Sequence, residues 1–345
     1  MITTIGPDRA EQWDSIVRSF RDYDTHWLSG YVRGFQIHGD GEPLLICYDD
    51  GKTRGINVVM KRDAAKAPAF AGKIPEGKYF DFSTPYGYGG WLTEGGETES
   101  LFRAYEAWLR ENGIISEFVR FHPMIRNHEQ SAGFYETVRL GEVVHMDLSS
   151  PETIWANLSS KNRNMIRKAE KNGITIHRGQ DPEIYEAFRV MYNATMELDV
   201  AEAYYFFGKA FYDSIREDLA ENAQVFYAEK DGQPIAASIM LAANGRMNYH
   251  LSGSLREYRT LAPTNLLLYE AARWGCENGC RTLYLGGGVG SGEDSLYKFK
   301  RAFYRGEDLN RFYIGKKILD PVQYDYLTGL RTDIRNAGYF PKYRG

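Results

Sequence analysis

Two turn signals, Asp231-Gly232 and Asn244-Gly245, stand between three apolar runs and do most to restrict the fold of this 345-residue chain. Asp-Gly and Asn-Gly favour the φ > 0 backbone of tight hairpin turns. VFYAEKDGQPIAASIML therefore reads as a hairpin, and RMNYHLSGS as the strand that follows it. Thr264–Asn278 then carries helical spacing, and RTLYLGG is a short strand running into glycines. Hairpin, strand, helix, strand in that order predicts an α/β (α+β) domain: a mixed, mostly antiparallel sheet flanked by helices.

The first half follows the same plan without any residue-level repeat. A helix is expected over Glu11–Tyr23 and another over Thr25–Tyr31, where Trp27 and Tyr31 are i, i+4 neighbours. FQIH, PLLICYDD and RGINVVMKR read as strands, with DDGK as the turn between the last two. KYFDFSTPYGYGGWL, a helix over Glu97–Asn112, and the strands SEFVRFHP and EVVHMDL complete this half. The boundary is placed at Leu148–Pro151, giving domains 1–147 and 148–345. The second opens with PETIWANLSSKNRNMIRKAEKNGITI, read as helix, helix, strand, with Ser159 or Ser160 as a cap and Gly173 as a stop. Asp181–Glu197 and Tyr205–Glu221 are further helical stretches.

Composition excludes several classes. No apolar run approaches the eighteen or so residues of a membrane span, and MITTIGPDRAEQW lacks the basic and apolar regions of a secretion signal. Three cysteines are no disulfide framework, and the expectation is a cytoplasmic protein. Cys276 and Cys280 have no further Cys or His pair nearby to complete a zinc site, so no metal is expected. Residues 1–147 carry 16 Lys+Arg against 22 Asp+Glu, whereas 148–345 carry 26 against 24. That mild basicity is local and not the face of a DNA-binding protein.

Three blocks of the second half carry a family resemblance. NLSSKNRNMIRKAEKNGI, the stretch YHLSGSLREYRTLAPTNLLLYEAARWGCENGCRTLYLGGG, and SLYKFKRAF occur in that order over about residues 155–317. Together they resemble the Fem family of aminoacyl-tRNA-dependent peptidyltransferases and related GNAT-type acyltransferases. In the first half only PYGYGGW resembles the family. The resemblance implies tandem GNAT-like domains. It implies transfer of an amino acid from aminoacyl-tRNA, engaged at its acceptor end, to an amine of a peptide or amino-bearing acceptor in cell-wall or natural-product assembly. No bound cofactor is implied. Two alternatives stay open: an acyl-CoA-dependent N-acyltransferase acting on an amino sugar or similar amine, and a non-catalytic binding protein of the same fold. The stretch REYRTLAPTN bears on the donor, because it lacks the glycines whose amides would cradle a coenzyme A pyrophosphate.

The resemblance places the family's catalytic lysine on Lys300, in Phe299-Lys300-Arg301-Ala302-Phe303. An ammonium there would hold the oxyanion of acyl transfer. Asp294 and Glu293 are candidates to orient the amine or take its proton, with Asp294 favoured by its place just before that motif. Lys298 is a candidate phosphate contact. Arg163 and Arg167 share a helix face with no acidic partner, which points to an anion or to a solvated face. Tyr86 and Tyr88, on the glycine-rich loop beside Asp81, could stack on a ligand or simply end a strand. Tyr249 and His250 stand where GNAT enzymes line their acceptor cleft, and a polar core pair is the competing reading. The glycines from Gly286 to Gly292 lack the Lys-Ser/Thr ending of a nucleotide P-loop.

Overall fold

The computed structural model describes residues 1–334, 336 and 338–345. In chain order the elements begin β1 (Ile2–Ile5), α1 (Ala10–Arg18), α2 (Ser29–His38), β2 (Glu42–Asp49), β3 (Thr53–Asp63), β4 (Phe80–Ser83), β5 (Leu92–Gly95), α3 (Glu99–Glu111) and β6 (Ile114–Arg120). Next come β7 (Glu136–Asp147), α4 (Pro151–Asn157), α5 (Ser160–Lys171), β8 (Thr175–Gly179), α6 (Pro182–Leu198), α7 (Lys209–Asp218), β9 (Ala223–Lys230), β10 (Gln233–Ala243) and β11 (Arg246–Ser254). The last are α8 (Pro263–Glu277), β12 (Thr282–Gly286), α9 (Ser295–Arg301), β13 (Asn310–Ile318) and α10 (Pro321–Gly329).

The chain forms two units, Met1–Leu140 with Phe312–Gly345, and Gly141–Arg311. The division 1–147 and 148–345 is thereby corrected at both ends. The first boundary falls inside β7, and residues 312–345 return to the first unit. The physical reason is strand pairing. β13 lies antiparallel to β6, with Ile314 opposite Arg120 and Ile318 opposite Ser116, and the Leu319 amide donates to the Ile115 carbonyl at 2.8 Å.

In the first unit the strands run β1-β2-β3-β4-β6-β13, with β5 beside β4 on the same edge of β3. Only β4 and β6 are parallel among these pairs. The β2–β3 turn forms where DDGK predicts it: Asp50 accepts from the Lys52 and Thr53 amides, and Gly51 sits at φ +81°. On α3, Leu101, Phe102, Tyr105 and Leu109 recur at helical spacing and are buried against Trp91 and Phe134. Each such side chain contributes on the order of 1.5–3 kcal/mol on burial. FQIH is not a strand. It forms the last turn of α2, because Tyr31 and Phe35 are neighbours on one buried helical face (ring centroids 5.0 Å) and Gly39 caps the helix at φ +103°.

The second unit orders its strands β7-β12-β11-β10-β9-β8, with only β11 and β12 parallel. α8 makes the crossover between those two, burying Leu266, Leu267, Ala271 and Gly275. A Cβ at Gly275 would lie 3.0 Å from a Leu148 methyl and 3.1 Å from the Met247 sulfur, so the glycine permits the close approach. α7 begins at Lys209; the expected start at Tyr205 is a separate 3-10 turn over Ala203–Tyr205. Both units thus share one plan: hairpin (β2–β3, β9–β10), strand (β4, β11), helix (α3, α8) and a parallel strand (β6, β12).

Candidate active site

Lys300 is the one lysine of α9 that is buried, 8% exposed, and its ammonium donates to the Gly287 carbonyl at 2.8 Å. Gly286, at φ +83°, ends β12 beside it; a Cβ there would lie 3.4 Å from Nζ and 3.8 Å from the Tyr284 ring. The Tyr249 ring faces Nζ at 6.0 Å. Tyr249 is itself fixed by hydrogen bonds with the Ser252 and Ser238 hydroxyls. One positive charge is thus set at the end of a strand among aromatic rings and glycine backbone, where an anionic oxygen would be held strongly.

Burial pushes the Lys300 pKa down to about 8 from 10.5, and Asp294 counters only part of this. The charged form therefore gives way near pH 8. If the ammonium does the work, kcat falls as pH rises through about 8, and Lys300→Arg removes that alkaline limb. The unfolded chain holds this proton more tightly than the fold, so folding stability rises with pH between 8 and 10.5. A pH–rate profile at saturating substrate, beside urea melts at pH 7 and 9.5, checks both signs.

Asp294 has a definite structural task. One carboxylate oxygen accepts from the Tyr297 amide at 2.8 Å, capping α9, and the other accepts from the Val289 amide at 3.1 Å. The Tyr297 amide, first among several contacts, lowers its pKa, which makes it a weak base. It ties the glycine loop to the helix that carries Lys300. Tyr297 adds a second tie, its hydroxyl donating to Glu142 on β7 at 3.0 Å. Lys298 points from the same helix into solvent, and Glu293 is likewise exposed.

His250 falls at a register shift of β11: Leu251 opposes Ile239 and Tyr249 opposes Met240, leaving His250 as the extra residue. Burial pushes its pKa down to about 3, so the imidazole is neutral. The basic helix α5 begins against the end of α9. The Ser159 amide donates to the Ala302 carbonyl at 2.9 Å, and the Asn162 carboxamide reaches the same oxygen at 3.3 Å.

Arg163 and Arg167 differ. The Arg163 guanidinium donates to the Leu158 and Trp155 carbonyls at the end of α4, at 2.9 and 3.4 Å. Arg167 is exposed and lies over the Trp155 ring at 5.1 Å. Arg163→Ala should therefore lower folding stability by about 1 kcal/mol. Arg167→Ala should change it by less than about 0.5 kcal/mol and instead reduce the salt dependence of KM. Paired urea melts and salt titrations of activity separate the two.

Tyr86 and Tyr88 belong to the first unit. The Tyr31 hydroxyl donates to the Tyr86 carbonyl at 2.6 Å, and the Tyr88 ring stands 5.3 Å from both His26 and His122. Gly87 between them has φ +92°, and a Cβ would meet His26 and the Tyr31 hydroxyl at 2.8 Å. Asp24, His26 and His122 were not singled out from sequence. Among the described residues they bring three ligand atoms within 4.8 Å of one another. The signals available were the short strings Asp24-Thr25-His26 and Phe121-His122-Pro123, which only the fold brings together.

Residues 157–301 match the acetyltransferase (GNAT) domain family. A curated relative, the UDP-N-acetylmuramoylpentapeptide-lysine N(6)-alanyltransferase of Weissella viridescens, is 26% identical over 203 residues. That alignment covers 56% of this chain and 58% of the relative, so the match spans less than two thirds of that protein. Among solved structures, FemX superposes with TM-score 0.68 at 13% identity, over 94% of this chain and 99% of that one. A tandem GNAT protein from the clavulanic acid pathway does so with TM-score 0.50 at 10% identity, over 93% and 99%. These structural likenesses establish a shared fold, and that fold is the tandem GNAT-like arrangement expected from the sequence.

Proposed function

We propose that this chain, whose second unit carries a GNAT-type acyltransferase domain similar to that of Fem-type enzymes, is an aminoacyltransferase. It moves an amino acid from the 3′ end of a charged tRNA to an amine of a peptide or amino-bearing acceptor. The observation that carries the reading is the buried Lys300 ammonium at the mouth of β12. The acceptor nitrogen attacks the ester carbonyl, an N–C bond forms, and negative charge gathers on the carbonyl oxygen. Lys300 holds that charge. The ester C–O bond then breaks, the ribose oxygen leaves with the proton shed by the nitrogen, and no covalent enzyme intermediate is needed. Asp294 serves as a positioning residue for the lysine helix. On this reading the exposed Lys298 and Arg167 meet phosphates and Tyr249 and His250 contact the acceptor or donor, while Tyr86 and Tyr88 of the first unit are proposed as a separate ligand contact. Charged tRNA is a cytosolic substrate, so the proposal includes a cytoplasmic location; no helix among the described residues is long and apolar enough to cross a membrane.

The competing donor is an acyl-CoA, which the GNAT family match favours. Support for tRNA comes from the start of α8, where coenzyme A would place its pyrophosphate. Pro263 removes one amide donor, and the Ala262 and Asn265 amides bond to the Arg259 and Ala262 carbonyls. Asn265 is also covered by Asn162 of α5, their carboxamides 2.7 Å apart. Coenzyme A is expected to bind with Kd above about 100 μM, or less than roughly 5.5 kcal/mol. Calorimetry checks this, beside a radiolabel assay offering charged tRNA and acetyl-CoA in parallel. Transfer from acetyl-CoA alone, with low-micromolar binding, would replace the tRNA reading with the acyl-CoA one.

A further inference from the structure

We propose that Asp24, His26 and His122 of the first unit bind one divalent transition-metal ion, zinc by preference. The three ligand atoms lie within 4.8 Å of one another, and the residues are 0%, 2% and 0% exposed. Two imidazoles and one carboxylate are a ligand set suited to borderline cations. The scaffold presents them on two separate segments. Asp24 precedes the 3-10 turn Thr25–Trp27 and gives one oxygen to the Thr25 amide at 2.6 Å, which turns Oδ2 toward the histidines. His122 follows β6, and its backbone amide is held by the Asn127 carboxamide at 2.9 Å. Trp27 fixes the turn by donating to the Gly90 carbonyl at 3.1 Å. Tyr88 walls the cluster, and Gly87 brings its backbone close to His26, where a Cβ would stand 2.8 Å from the ring.

The convergence exists without any ion: Asp24 Oδ2 and His122 Nε2 stand 3.1 Å apart, and both side chains are fully buried. One contact works against ligation. The Ile125 amide donates to His122 Nδ1 at 3.2 Å, which leaves the ring proton on Nε2. An ion on Nε2 moves that proton to Nδ1 and ends the Ile125 contact, subtracting about ten-fold from affinity. The site is independent of the acyl-transfer reading and stands or falls without it.

The test uses the full chain without a histidine tag, stripped with chelator and titrated with zinc by calorimetry, followed by elemental analysis. One equivalent is expected, weakened about 10- to 100-fold or more in both Asp24→Asn and His26→Gln. Zinc X-ray absorption on the wild-type chain should show two imidazole ligands, which keeps the inference testable if a variant fails to fold. Less than a tenth of an equivalent bound, affinity unchanged in both variants, or a zinc spectrum without two imidazoles would each overturn it.

Discussion

Lys300→Met lowers kcat by about 100- to 1000-fold, roughly 2.7–4 kcal/mol, while the second unit keeps its fold. The methionine stem fills most of the lysine volume, and the loss is the ammonium with its bond to the Gly287 carbonyl. A neutral side chain also relieves the cost of burying a charge, so the melting temperature should hold or rise slightly. Lys300→Arg restores only part of the rate, because a planar guanidinium cannot take the place of a compact ammonium. The measurement is single-turnover transfer from charged tRNA with far-UV circular dichroism on the same samples. Turnover within five-fold of wild type would remove Lys300 from the chemistry and pass the role to a backbone amide or to Lys298.

The largest expected effect on stability lies in the other unit. Asp81, fully buried, receives the Arg62 and Arg344 guanidinium groups at 2.6 Å each, one on either oxygen, and the Tyr343 hydroxyl at 3.2 Å. Burial would raise its pKa; the Arg62 and Arg344 charges more than reverse this and leave it lowered. Asp81→Ala strands two largely buried cations and should cost about 3–5 kcal/mol. In a unit of this size that is a fall of very roughly 6–20 °C in Tm. The sign with pH follows from the lowered pKa: the contribution is present at neutral pH and is lost in acid as the carboxylate takes a proton. Calorimetric melts at pH 7 and in acid below the ordinary aspartate value of 3.8 measure it. A loss below 1 kcal/mol at pH 7 would mean that the clasp is ornamental.

How much of this was legible in the sequence depends on the distance over which residues cooperate. The turns at Asp50-Gly51, Asp231-Gly232 and Asn244-Gly245 are local, and each appears where its residues place it. The Ser159 cap and the helix stop at Gly173, with φ +72°, are local too. Lys300 is singled out by a family resemblance, in the short motif Phe299 to Phe303 that is one of three blocks over about residues 155–317. FQIH failed because a short apolar run fits either period, and only packing against Tyr31 decides between them. The pairing of β13 with β6 and the approach of Arg344 to Asp81 join residues some two hundred or more positions apart. No pattern in either segment names its partner. Asp24 and His122 were illegible for the same reason. Arg163 and Arg167 look alike in sequence, and only the position of α4 gives one a capping task and leaves the other exposed.

The return of residues 312–345 to the first unit has a consequence for how the chain is born. The second unit is contiguous, so a ribosome delivers all of it while the first unit still lacks β13, α10 and the Arg344 side chain. At about 5–20 residues per second, the interval from the end of β6 to the last strand is on the order of 10–40 s. During that time the edge of β6 and the Asp81 oxygen that Arg344 and Tyr343 will take, the other being already met by Arg62, are open to a holdase or to a neighbouring nascent chain. The half that emerges first is therefore the half that matures last, and co-translational crowding bears on it more than on the contiguous second unit.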